Sequence, residues 1–258
     1  MTAILADTGA MTVRHLRILV RQPWYIAISL VQPVIWLLLF GALFERVVDV
    51  PGFGGGDYVD FLVPGVVAMT ALFSGGWLGM SLIDDYEQGV LDRFLVSPAR
   101  RGSLIGGPIA YQAATTVVQS LIVVGLALAV GADIPGGAPG VAVLIGASVL
   151  LAAAFGALSC AVGLLARQRE TLIGAVQLVI LPLTFLSSGL MREDLLPGWV
   201  QDVAAYNPVN WAVVAGREAM SADVDWGVVL SRCGLLVALA AVSAWLATRA
   251  FRAYQRSL

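Results

Sequence analysis

Residues 141–166 read VAVLIGASVLLAAAFGALSCAVGLLA, without one charged side chain. At about 1.5 Å of rise per residue, a helix over this run exceeds the roughly 30 Å hydrocarbon core of a bilayer. A strand of a membrane barrel would instead alternate apolar and polar positions over about ten residues. Val141 to Ala166 is therefore predicted to cross a membrane as a helix, the form in which a segment satisfies all of its own backbone groups in lipid.

Similar runs lie on both sides of it. Ile109 to Val130 and Phe61 to Ile83 precede it, Thr171 to Leu190 follows, and Trp24 to Phe44 opens the set. Gly227 to Thr248 closes it, interrupted only by Arg232 near its start. The reading is one all-α integral membrane domain over residues 1–258, with a flank at 1–23 and six spans at about 24–44, 61–83, 109–130, 141–166, 171–190 and 227–248. Composition agrees: 59% of the 258 residues are hydrophobic and 12% charged, against roughly 45–50% and about 25% in soluble domains. The first run is longer than the 7–15 residues of a signal-peptide core, so it is expected to be retained.

All fifteen basic side chains are arginine; lysine is absent. Arg14, Arg17, Arg21, Arg93, Arg100, Arg101, Arg167, Arg169, Arg249, Arg252 and Arg256 fall on one side of a six-span layout, and only Arg46, Arg192 and Arg217 on the other. The positive-inside rule then places both termini in the cytoplasm. Arg232, about two turns into the last run, can extend its head to the interface. A net charge of -2 argues against a nucleic-acid binder. Cys160 and Cys233 lie in apolar runs without metal-ligand spacing and read as small buried hydrophobes.

The segments between spans carry patterns of their own. Over Thr12 to Arg21 a helical period gathers Arg14, Arg17 and Arg21 on one side and Val13, Leu16, Leu19 and Val20 on the other, as in a helix lying in the membrane surface. Between Asp84 and Ser103, Val90, Leu91, Phe94 and Leu95 share a face, Gly89 precedes them and Pro98 stops the helix. Such an amphipathic helix needs an apolar partner, either the protein's own bundle or a groove on another protein. From Met191 to Trp226, Pro197, Gly198 and Asn207-Pro208 divide an apolar stretch into two short helices that dip part-way into the outer leaflet.

Several kinds of chemistry lack their residues. The five uninterrupted runs contain no Asp, Glu, Lys, Arg or His, whereas ion-coupled transporters usually carry ionisable groups or broken helices at mid-membrane. The lone histidine, His15, lies in the first flank, where it cannot serve an intramembrane serine hydrolase. A P-loop ATPase motif requires a lysine, which this chain does not have. Gly75 with Gly79, and Gly102 with Gly106, have the spacing of close helix contacts.

The run Glu87-Gln88-Gly89-Val90-Leu91-Asp92-Arg93-Phe94-Leu95-Val96-Ser97-Pro98-Ala99-Arg100, set between the second and third spans, resembles the cytoplasmic signature of ATP-binding-cassette type 2 permeases. Leu196-Pro197-Gly198-Trp199-Val200, with Asn207-Pro208 and Arg217-Glu218, resembles the same family's outer loop before the last span. With the surface helix and the six-span order, the resemblance covers nearly the whole chain and is nearest to daunorubicin-resistance-type permeases. Family members often carry Thr and Glu where this chain has Val90 and Asp92; the aspartate keeps the charge, while the valine removes a hydroxyl.

The resemblance implies the transmembrane subunit of an ATP-driven exporter in a bacterial plasma membrane. It is not itself an enzyme: two copies, or one copy and a homologue, would pair above two ATPase subunits that bind ATP and Mg. Glu87, Gly89, Leu91, Asp92, Arg93, Phe94, Leu95, Pro98 and Arg100 are then the residues that couple to the ATPase, and Arg14, Leu16, Arg17 and Arg21 belong to the interface helix. In this family the second and fifth spans face the dimer axis, which makes Phe73, Trp77, Gln177, Leu181, Thr184, Phe185 and Ser188 candidates for the substrate path. An apolar path with a few hydroxyls and amides suits an amphipathic drug, lipid or glycolipid. Two alternatives remain at this point, an ATP-independent transporter or channel and a structural anchor subunit.

Overall fold

A computed structural model describes residues 23–46, 57–88 and 103–256, and every regular element among them is helical. Pro23–Ile35, a π-helical Trp36–Phe40 and Gly41–Leu43 form one helical stretch, α1. Pro33 inside it has no N–H to give, and the ladder widens directly afterwards. Next come α2 (Tyr58–Gly76), α3 (Gly79–Glu87), α4 (Ser103–Val130), α5 (Gly137–Ala166) and α6 (Arg169–Phe185). A 3-10 turn at Glu193–Leu195 leads to α7 (Gly198–Ala205), α8 (Pro208–Met220) and α9 (Trp226–Arg256).

The decisive stretch of sequence becomes the central helix. α5 packs against α9, α2, α8, α4 and α3. It can do so because its side chains are small: Ala147, Ser148, Ala152, Ala154, Gly156, Ala157, Ser159, Cys160 and Gly163 are all buried on it. Lipid gives helices no hydrophobic reason to associate, so close backbone approach and dispersion take that role. Gly75 and Gly79 show it directly, since a Cβ on Gly75 would meet the carbonyl of Ala152 and one on Gly79 that of Ser159. Cys160 is buried and Cys233 half-buried, both as free thiols.

Large apolar side chains stand outward on the remaining faces, Ile28, Ile35 and Leu43 on α1, Leu178 and Phe185 on α6, Leu230, Val237 and Trp245 on α9. Water would not tolerate so wide an apolar surface; lipid does. Among the described residues, Tyr58–Glu87, Gly106–Val130, Gly137–Ala166 and Trp226–Arg252 are long and apolar enough to cross a membrane. Ile28–Leu43 is a shorter apolar helix.

Six spans were expected and four described helices have the length and composition to cross, and the helices depart from the sequence expectation in two further places. The run 61–83 is divided: the ladder tightens at Trp77 and Leu78, where Leu78 N bonds Gly75 O at 3.0 Å and Met80 N bonds Trp77 O at 3.0 Å, and α3 starts afresh. The run 171–190 stops being helical at Phe185: Leu186 N still bonds Pro182 O at 2.8 Å, but at φ -90° and ψ 41° that residue leaves the helix, so α6 spans 17 residues, about 25 Å. Between Met191 and Trp226 lie the short helices α7 and α8, divided at Asn207-Pro208, whose Asn207 caps α8.

Candidate functional site

At one end of the bundle, α3 delivers Glu87 beside the start of α6. Arg169 donates from Nη2 to Glu87 Oε2 at 2.6 Å and from Nε to Oε1 at 3.1 Å, and Nη2 also lies 2.6 Å from Asp84 Oδ1. The two-pronged geometry fixes register between α3 and α6. Arg167, the residue that ends α5 with φ 53°, turns the chain toward α6 and carries its guanidinium 5.9 Å from the centre of the Tyr86 ring. These groups are about half-exposed, so solvent screening leaves the pairing little weight in stability. Its effect is positional, joining the last described turn before residue 89 to the helix that follows α5.

Glu87 is the one ATPase-coupling candidate among the described residues. Gly89, Leu91, Asp92, Arg93, Phe94, Leu95, Pro98 and Arg100 lie outside them, as do Arg14, Leu16, Arg17 and Arg21 of the interface helix.

Half-way along the bundle, the break between α2 and α3 exposes two backbone groups, and Ser159 of α5 satisfies both. Gly79 N donates to Ser159 Oγ at 2.9 Å, and the same hydroxyl donates to the carbonyl of Gly76. In lipid these groups have no water to turn to. Trp77, at the break, lines a cleft of about 210 Å³ between α1, α2 and α4. Phe73 lines the same cleft.

The other substrate-path candidates are elsewhere. Gln177, Leu181 and Phe185 stand on the exposed face of α6. Thr184 is buried and donates to Ile180 O at 2.8 Å. Ser188 is buried too; its N and Oγ reach Asn210 Oδ1 at 2.9 and 2.6 Å. Within one copy the seven residues therefore do not share a cavity.

Ser188 belongs to a scaffold at the opposite end, around the bend that ends α6. Asn207 Nδ2 donates to Leu183 O at 2.8 Å and Leu186 O at 2.7 Å, while its Oδ1 accepts from Val209 N at 2.9 Å. Arg217 of α8 donates to Ser188 O at 2.8 Å and Phe61 O at 3.3 Å, with its guanidinium 3.8 Å from the centre of the Phe61 ring. Tyr58 closes the ring by donating to Leu190 O at 2.8 Å. Reading the sequence for charge and spacing passed over Asn207 and Asn210 as scaffold, and also the polar stripe Gln112, Thr116, Gln119 on α4. The stripe's signal was present, since residues at i, i+4 and i+7 share a helix face.

The family model for ABC-2 type transporters matches residues 6–221. The chain is 30% identical over 233 residues to the daunorubicin resistance ABC transporter permease protein DrrB1 of Streptomyces coeruleorubidus, covering 86% of this chain and 77% of that one. It is 27% identical to the putative transport permease ycf38 of Cyanophora paradoxa, covering 75% and 67%. With the probable doxorubicin resistance ABC transporter permease protein DrrC of Mycobacterium tuberculosis it shares 26% identity over 73% of this chain and 67% of the relative.

Proposed function

The chain belongs to the ABC-2 type transporter family, and from that membership we propose that it is the transmembrane half of an ATP-driven exporter whose ATPase is a separate chain. The observation that carries the reading is the course of the chain through Glu87. The residues that resemble the family's coupling signature follow it, and Arg169 ties it to α6. A push on the 87–100 segment thus has a mechanical route into the membrane. This sequence has no lysine for a P-loop, which supports the handling of ATP and Mg by a partner.

In the full reading α1 and α6 also cross the membrane, giving six spans with both termini cytoplasmic in a bacterial plasma membrane. α7 and α8 dip into the outer leaflet. Two such subunits face each other above two ATPases. Leu91, Phe94 and Leu95 dock in an ATPase groove, and Asp92, Arg93 and Arg100 set register at its rim. The exposed α6 face with Gln177, Leu181 and Phe185 then contributes to the path between the two copies. Two relatives are named for resistance to daunorubicin and doxorubicin, which supports an amphipathic drug, or a lipid of similar character, as cargo.

Phe94→Asp puts a charge in the centre of the docking face. The variant is expected to insert and to unfold thermally like the parent, yet to lose co-purification with the ATPase and stimulation of ATP hydrolysis. Unchanged co-purification and unchanged export would contradict the docking role.

A further inference from the structure

α5 and α6 follow each other through the turn at Arg167 and Gln168, yet a groove of about 230 Å³ lies between them. Its walls are Phe155, Leu158 and Val162 of α5 and Ala175, Val176 and Val179 of α6. The packing of α6 explains the gap. Its buried stripe leans on α2 at Gly76, where a Cβ would meet Ile180 Cδ1 at 2.6 Å and Val176 Cγ1 at 3.4 Å. Its ends are tied to other elements, by Arg169 to α3 and by Asn207 through the carbonyls of Leu183 and Leu186. The flank toward α5 is left unfilled.

Among the described residues, Ser159 is the only polar side chain that lines the groove, and its hydroxyl is taken by Gly79 N and Gly76 O. The surface on offer is hydrocarbon, which water leaves dry. The groove is open on one side, since Val179 is 46% exposed and Leu158, Val162 and Ala175 are half-buried. Leu165 and Leu178, three residues beyond Val162 and Ala175 and on the same helix faces, are 63% and 77% exposed. The opening therefore runs on into the apolar surface that faces lipid. Gln177, the polar residue on the exposed side of α6, lies about 160° round the helix from both Ala175 and Val179. Along α6 the groove reaches from Leu172 to Ile180, about 4 to 16 Å from Arg169. Half of a hydrocarbon core is about 15 Å, so this length matches one leaflet. A helix, about 10–12 Å thick, is too wide for the space, whereas a single acyl chain fits it.

We infer that this groove is a binding site for one acyl chain of a phospholipid from the leaflet on the Arg169 side, seated between Phe155 of α5 and Val176 of α6. The chain restores to both walls the dispersion contacts that an unfilled gap forfeits. It also backs the middle of α6, between the two ends that are fixed by Arg169 and Asn207. The inference stands apart from the export reading, which decides only that this leaflet is the cytoplasmic one.

The test uses the full-length chain, without ATPase, in phosphatidylcholine nanodiscs that contain a phosphatidylcholine with a photoactivatable diazirine half-way along one acyl chain. After illumination, the labelled residues are located by proteolysis and mass spectrometry. Val237 and Trp245 of α9, 53% and 54% exposed, report ordinary contact with lipid. Phe155 and Val176 are each 8% exposed, so a chain labels them only from inside the groove, and both are expected to carry label. Ala175→Trp, whose indole fills the groove, is expected to lose the labels on Phe155 and Val176 and to keep those on α9. Ala175→Leu serves if the larger side chain prevents folding. Unlabelled Phe155 and Val176 beside a labelled α9, the result if a second copy covers the groove, would overturn the site. Labels that persist unchanged in the filled variant would overturn it as well.

Discussion

At Ser159 a single hydroxyl serves two main-chain groups from another helix, Gly79 N and Gly76 O. Removing it strands both in an apolar interior, at about 1–3 kcal/mol for each unsatisfied group. Ser159→Ala is therefore expected to lower the thermal unfolding midpoint in detergent clearly. Ser148, equally buried on the same helix, makes no hydrogen bond through its hydroxyl; Ser148→Ala is expected to leave the midpoint unchanged or raise it. Equal effects of the two substitutions would refute this account of the break. None of this was legible in the sequence, because a serine in an apolar helix usually bonds its own preceding turn. Nothing at Ser159 distinguishes it from Ser148 until Gly76 and Gly79 are placed opposite. Phe73 and Trp77 could be named beforehand as candidate substrate contacts, but not as walls of one cleft with Gln119, since that depends on how α1 and α4 lean on α2.

Between elements, the contact on which the proposed coupling relies is that of α3 with α6 through Glu87, Asp84 and Arg169. Its exposure makes it weak as a source of stability, so its contribution is separable from folding. Glu87→Ala, Arg169→Ala and the double variant are each expected to leave the thermal unfolding midpoint close to that of the parent. Each single change is expected to reduce cargo-stimulated ATP hydrolysis by the partner several-fold, with the double variant no worse than either single one. Additive losses would mean that the two residues act independently. The helical elements themselves were readable from uninterrupted apolarity, which is why α4, α5 and α9 lie where their runs lie. The end of α6 was not, because Leu186 to Leu190 carries no charge and prolongs the run, yet is bent away by polar partners from α8. Asn207 and Asn210 do this from a stretch that sequence spacing marks only as a break.

For the molecule as a whole, the distribution of polarity is that of a membrane-spanning permease. Its outer faces are apolar enough for lipid, its core is held by small residues around α5, and its sequence has no lysine with which to grip ATP. In the proposed export reading, work enters through the segment after Glu87 and leaves as movement of α2, α3 and α6. The account is most directly tested by reconstituting the purified chain in liposomes and measuring accumulation of a fluorescent anthracycline against its gradient, with ATP, alone and together with the cognate ATPase. Uphill movement is expected only when the ATPase is present and ATP is hydrolysed. Uphill movement by the chain alone would contradict the account.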